Sequence, residues 1–454
     1  MTGSDFAQSP MLPLLAQIPA SILLALILIA ALRYAEGVSA RFVVFACWLR
    51  FMLSAFHDYT FDKILAGFSI NALASASVFG LGLLLIRKPL LLSRALIPMY
   101  LLIAIVILSA VVNGEPKSSF ETIVKFGYFV VIALHTYEAL RGSNHRRFSI
   151  ALLLGFAPLV LFQLLSVILN VYKITGADQS PNYIGGYDHE AAFSVALVAL
   201  FIAAALARGI SGGVRALLLL VALTGIVLAN YRTAIIGTVP LVAYFVFVGI
   251  GRLFPQQLRT VVVTVAALGF VLVGTTAAVS LERFAELRTV ASGEVEIIKP
   301  PHQFTPEDRE LLTGRPYIWS NYYYEWRNEG GELQHLTGFG PDSWEGRFDR
   351  YAHNSFISYL FEYGLLGVAA LTLLLSVGLL LSIQTRPGQR AELVAAHVSF
   401  ILLNQATMPM WQIEGLILYA ILWGFTMEGH YARVAGTAPP RAEPRLAPSG
   451  LIPS

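Results

Sequence analysis

Residues 352–382 read AHNSFISYLFEYGLLGVAALTLLLSVGLLLS, passing within a few positions from a polar loop into an apolar run long enough to cross a bilayer. Upstream lies a polar insert, about Leu281 to His353, with thirteen acids, eight Arg or Lys and a cluster of Trp and Tyr. Some ten apolar runs precede it, most of the length an α-helix needs to span a membrane. Their residues do not alternate in polarity, which excludes a β-barrel. The pattern predicts an all-α, polytopic transmembrane helical bundle with one large, partly helical loop. An acid, Glu362, stands inside the apolar run that follows the loop. A folded loop beside an intramembrane acid points to chemistry at a membrane surface.

Composition agrees. The chain is 56% hydrophobic and 13% charged, with mean hydropathy +0.67; soluble domains carry about 25% charged residues. No basic stretch followed by a small-residue cleavage site opens the sequence, so no removable signal peptide is expected. Cys47 is the only cysteine, which removes intrachain disulfides and cysteine-based metal sites. The net charge of +3 is dispersed, and nucleic acid is excluded as a partner.

Spans are expected near 11–32, 40–56, 64–86, 95–113, 120–140, 148–172, 190–207, 214–230, 233–250, 259–280, 354–382, 391–409 and 412–428, with twelve rather than thirteen if a weak one fails. Connectors alternate in charge. One set holds Arg33/Arg41, Arg87/Lys88/Arg94, Arg141/Arg146/Arg147, Arg208/Arg215, Arg252/Arg259, Arg386/Arg390 and the tail; the other holds only Lys63, Lys117, Lys173 and Arg232. Positive residues stay cytoplasmic, so the insert is expected outside and the C-terminus inside. The expected organisation is transmembrane helices over 1–280, the external loop over 281–353, three closing spans over 354–430, and a Pro-, Ala- and Arg-rich disordered cytoplasmic tail over 431–454. No internal repeat is evident.

Within the insert, Thr305-Pro306-Glu307-Asp308 is a helix start, with a Thr cap, Pro at the first position and an acid three residues on. The helix is expected to run to about Arg327, putting Arg315 and Trp319 on one face. Gly330-Gly331 should end it, and Gly338-Phe339-Gly340-Pro341 is a turn.

His353 stands where the loop meets the membrane, and an imidazole there can take a proton from a hydroxyl. An equally consistent reading is that His353 and Asn354 only cap the next helix. Asn354, Ser355, Ser358, Tyr359 and Glu362 form a polar stripe within roughly 140° of arc; Glu362 is either functional or a structural hydrogen-bond partner. Gly364 and Gly367 are expected to allow close helix packing. Arg232, an external cation where short loops otherwise have few, and Arg315 suit an anionic ligand, since guanidinium binds phosphate bidentately; the competing reading is a solvated or snorkelling side chain. Asp188-His189-Glu190 is a metal or acid–base site, or simply a favourable helix start. His57-Asp58 and Asp62 form a rival acid site. Gly338-x-Gly340 is no dinucleotide fingerprint, having no strand before it and no third glycine. Trp319, Tyr322, Tyr323, Tyr324 and Trp326 either stack on sugar rings or sit at the bilayer interface.

Taken in order, Tyr231-Arg232-Thr233-Ala234, Gly314-Arg315 with Trp319, Gly338-Phe339-Gly340, His353-Asn354-Ser355-Phe356, Glu362-Tyr363-Gly364 and Gly367 resemble the O-antigen ligase and polymerase superfamily of bacterial envelope glycosyltransferases. The resemblance spans about 229–368; the first half is similar only in hydrophobicity and span count. It implies a GT-C-like inner-membrane enzyme with its site facing the periplasm, taking a polyprenyl-diphosphate-linked glycan as donor. Arg232 and Arg315 would hold the diphosphate, and His353 would activate the acceptor hydroxyl for inverting transfer. Trp319, Asn354, Glu362, Gly338 and Gly340 would support them. No metal or other cofactor is implied, and no external loop carries an Asp-x-Asp pair. The acceptor would be lipid A-core for a ligase, or a second lipid-linked glycan for a polymerase of lipopolysaccharide or exopolysaccharide chains. Two other classes stay open: a glycolipid transporter or flippase, which explains the spans but not the aromatic loop, and a non-catalytic assembly partner.

Overall fold

A computed structural model describes residues 11–65, 67–174, 180–249, 255–265, 268 and 296–437. The chain is an all-α polytopic bundle. Seven described helices are long and apolar enough to cross a bilayer: Leu14–Tyr34, Gly37–Ala55, Arg94–Asn113, Pro116–Gly142, His145–Ile168, Arg232–Gly249 and Ser355–Ile383. Three shorter apolar helices, Ile70–Leu85, Glu190–Leu206 and Gly212–Leu228, stand among them. Pro387–Ala406 and Ile413–Thr437 complete the set with more polar sequences. Twelve of the thirteen expected spans thus coincide with helices, while 259–280 lies mostly outside the described residues. The last helix reaches Thr437, into the segment expected as tail.

Sequence determines which helices are central. Glu190–Leu206 is apolar on every side, and nearly every residue in it is buried, as an all-round hydrophobic helix must be. Pro116–Gly142 is buried over most of its length and packs against Ile413–Thr437. Gly424 admits the contact, because a Cβ there would lie 2.6 Å from the Thr136 side chain. Beside it, Tyr419 stacks on Phe400 at 4.0 Å and Trp423 meets Phe129 edge-on. Leu14–Tyr34 is peripheral and shows Leu15, Ile22 and Leu26 outward.

Three expectations need correction. The span proposed from residue 64 starts at Ile70, because Lys63–Leu65 and Phe68–Ser69 pair as a small antiparallel ribbon and Ser69 caps the helix. The insert helix proposed over 305–327 is two helices. Thr305 forms the anticipated capping box with Asp308, but Pro306–Glu310 is followed by Leu312, Thr313 and Gly314 in left-handed conformations, and a second helix, Arg315–Glu329, starts after them. The third correction concerns Gly364. It does allow a close approach, a Cβ there falling 2.4 Å from the Leu336 backbone, but not along an unbroken helix: at φ 64°, ψ −160° it breaks Ser355–Ile383 near its start, a conformation closed to residues with a side chain.

That break seats the insert. The carbonyls of Phe361 and Glu362 accept from the amides of Phe339 (2.9 Å) and Gly340 (3.0 Å). Ser109 Oγ also donates to Glu362 O (2.9 Å), and Asn113 Nδ2 donates to Gly338 O (3.0 Å). A Cβ on Gly338 would lie 2.2 Å from the Glu362 backbone. The turn expected at Gly338–Pro341 therefore lies directly on the broken helix. A second apolar core supports it, with Tyr322 stacked on Phe348 at 4.0 Å and Phe361, Ala352 and Met408 around them.

Candidate active site

The helix Pro387–Ala406 ends with carbonyls that have no partner within the helix. Two distant segments supply donors. Thr233 Oγ1 donates to Ala406 O (3.3 Å), and Asn354 Nδ2 and Ser355 Oγ donate to Gln405 O (2.8 Å) and Thr407 O (3.4 Å). The 231–233 turn and the 353–355 junction are therefore held at one helix end. Arg315, first residue of its helix, reaches the same place and donates from Nη2 to Thr233 Oγ1 (3.4 Å). Among the described residues its other donors have no acceptor. Arg232 opens the helix that follows Tyr231, one residue from Thr233.

The structure separates His353 from Asn354. Asn354 is the helix cap, its Oδ1 accepting from Phe356 N (2.8 Å) and Ile357 N (3.2 Å). His353 makes no cap bond, has φ 50°, and its buried Nδ1 has no partner among the described residues. A left-handed, unpartnered imidazole that the fold tolerates suggests function. Burial, then the charges of Arg315, His189 and Arg350, push its pKa down to about 3. The ring is thus neutral at physiological pH. Trp319 holds the approach to it, donating from Nε1 to Ala352 O at 2.7 Å.

Glu362 does not face this space as a lone acid. It is buried, accepts from Ser358 Oγ (2.6 Å) and the Asp342 amide (3.1 Å), and so ties the Gly338–Asp342 turn to the helix. Trp319 and Tyr322 likewise have structural roles, Tyr322 being buried with its hydroxyl on Arg350 O (3.0 Å). Tyr323, Tyr324 and Trp326 pack on one another.

The rings beside His353 are others. Tyr351 lies 4.0 Å away between centroids and stacks on Trp411 at 5.7 Å, with Trp344 edge-on to both. Lys125 sits over Trp411 at 5.1 Å, and together with Glu362, Ser358 and Tyr359 it lines a small recess. None of Tyr351, Trp411 or Lys125 was singled out from sequence. A lysine inside an apolar helix was a visible signal for the last. Trp411 lies in a short connector and reads as an interface aromatic, with nothing to distinguish it.

Asp188-His189-Glu190 is a helix start: His189 Nδ1 accepts from Ala191 N at 3.1 Å. Its Nε2 meets Tyr351 Oη at 2.9 Å. His57 is turned to Gly186 O (2.7 Å), with Asp58 at 2.5 Å and Asp188 at 3.9 Å. Among the described residues no three His, Cys, Asp or Glu side chains are grouped to hold a metal ion.

Compared with known proteins, residues 217–372 match a family model described as O-antigen ligase. No curated protein matches the chain. The matched region contains Arg232, Arg315, Trp319, Gly338, Gly340, His353, Asn354 and Glu362.

Proposed function

From the O-antigen ligase domain that the chain carries over residues 217–372, we propose that it transfers a polyprenyl-diphosphate-linked glycan onto a saccharide hydroxyl at the periplasmic face of a bacterial inner membrane. The observation that carries this reading is the meeting of Arg315, the 231–233 turn and His353 at the end of one helix. It is an arrangement of cation and neutral imidazole at a membrane-edge site.

In the proposed reaction Arg315 and Arg232 bind the donor diphosphate through charged, planar contacts. The acceptor oxygen attacks the anomeric carbon and its proton passes to the His353 imidazole. The bond from the anomeric carbon to the diphosphate oxygen breaks, and its electron pair leaves with the diphosphate, where the guanidinium groups stabilise it. Attack opposite the leaving group inverts the anomeric centre. Burial, and after it the Arg315 charge, holds the basicity of His353 down. A bound diphosphate offsets the Arg315 part of that shift. A metal ion has no assigned part in this scheme, because the diphosphate is already a good leaving group.

The test is reconstitution with a lipid-linked oligosaccharide and two acceptors, lipid A-core and a second lipid-linked repeat, with and without chelator. Glycosylated lipid A-core identifies a ligase and a lengthened lipid-linked chain a polymerase. Absence of both products, with the lipid-linked donor moved across the bilayer instead, would replace the reading with a flippase.

A further inference from the structure

The further inference concerns Tyr351 and His189 and rests on the glycosyl-transfer reading. A backbone amide can only donate, so His189 Nδ1, which receives the Ala191 N–H at 3.1 Å, carries the lone pair. The neutral ring then bears its proton on Nε2 and donates it to Tyr351 Oη at 2.9 Å. Tyr351 is thereby the acceptor in its one hydrogen bond among the described residues, and its phenolic proton remains for another acceptor. Burial, then Tyr231 and Glu190, raise the phenol pKa far above its ordinary value, so that proton stays in place. The ring is fixed by Trp411 and Trp344 and lies against His353. Arg315 reaches the same helix end through Thr233, which is bonded to Ala406 O next to the Gln405 carbonyl that Asn354 holds, so all three border one space.

We propose that Tyr351 Oη donates a hydrogen bond to a phosphate oxygen of the donor held by Arg315, and that His189 is the positioning residue that turns the hydroxyl toward it. Two charged or polar donors would then meet the same diphosphate from separate parts of the chain: Arg315 from the insert helix, and Tyr351 braced by the start of the Glu190–Leu206 helix. Such a bond strengthens as negative charge grows on the leaving group.

Tyr351→Phe removes the hydroxyl and keeps the ring stacking. It should lower kcat by about 10- to 100-fold, with unchanged KM for the acceptor and a melting temperature no lower than that of His189→Asn, since both variants lose the bond between the two residues. His189→Asn keeps a side-chain oxygen for the helix cap but loses the imidazole N–H. It should cost about 3- to 10-fold in kcat, since the hydroxyl persists but is free to turn. In a Tyr351→Phe background it should cost nothing more. Tyr351→Phe within twofold of wild type overturns the proposal. So do equal losses in both single variants with a matching fall in melting temperature, which mark a mere tether between loop and helix. Both outcomes require an active wild-type enzyme; a wild type without product would instead remove the underlying reading.

Discussion

His353 occupies a left-handed backbone position that Asn tolerates better than most residues, and this makes His353→Asn an informative variant. Because Asn354 already makes the cap bonds, His353→Asn should fold with little change in melting temperature and lose about 10²- to 10⁴-fold in turnover, the usual cost of removing a general base. Turnover within tenfold of wild type would end the catalytic role. The depressed pKa gives a second expectation. A base with its pKa pushed down to about 3 is already deprotonated throughout the neutral range. The donor kcat/KM, which reports the free enzyme, should therefore show no acid limb near pH 6.5 from His353. A limb at that pH would mean the imidazole titrates as it does in water. Arg315→Ala should cost roughly 30- to 1,000-fold and Arg315→Lys less, since lysine keeps charge without the planar fork. The motif residues were readable because each is a polar type in an apolar or turn setting. Tyr351 was not, since a tyrosine in an aromatic-rich loop is unremarkable until its partner, His189, is known to be 2.9 Å away.

Among the elements, the broken start of the Ser355–Ile383 helix makes its own forecast. A Cβ on Gly364 would lie 2.4 Å from the Leu336 backbone at φ 64°, whereas one on Gly346, also at positive φ, meets nothing within 4 Å. Gly364→Ala should be strongly destabilising and inactive. Gly346→Ala should cost only about 1 kcal/mol, the strain of the backbone alone. Thermal unfolding in detergent compares the two, and a Gly364→Ala protein as stable as Gly346→Ala would mean that the break is dispensable. Hydrophobic pattern located the helices well, including the 212–228 and 232–249 pair. It missed this break because one glycine inside an apolar run is compatible with an unbroken helix. It also joined Pro306–Glu310 to Arg315–Glu329, because Leu312 and Thr313 give no hint of left-handed backbone. The capping box, a local signal with its own geometry, was read correctly.

Across the whole molecule, the buried pair Arg50–Glu414 links the Gly37–Ala55 helix to the first turn of the last helix, with Ser54 and Asn71 completing its bonds. Arg50→Met alone should destabilise by roughly 3–5 kcal/mol because it strands a buried carboxylate, and Arg50→Met with Glu414→Leu should be milder. Equal melting temperatures for wild type and Arg50→Met would refute this. Sequence could not pair two charges 364 positions apart. The proposed orientation, read from connector charge, has a separate check. With Cys47→Ala as background, an impermeant thiol reagent outside intact cells should label Glu345→Cys and not Ser143→Cys; the opposite pattern inverts the topology.

The seats that hold Asn354, next to His353, and Thr233 are the final carbonyls of Pro387–Ala406, a helix that lies after the family-matched region. During synthesis the insert therefore emerges from the ribosome before the support it needs. The site is completed only when the closing hairpin has entered the membrane, so catalytic competence is the last property the nascent chain acquires. A chain stopped after residue 383 would retain every motif residue and still be inert. Supplying residues 384–437 as a separate, co-expressed fragment should restore turnover.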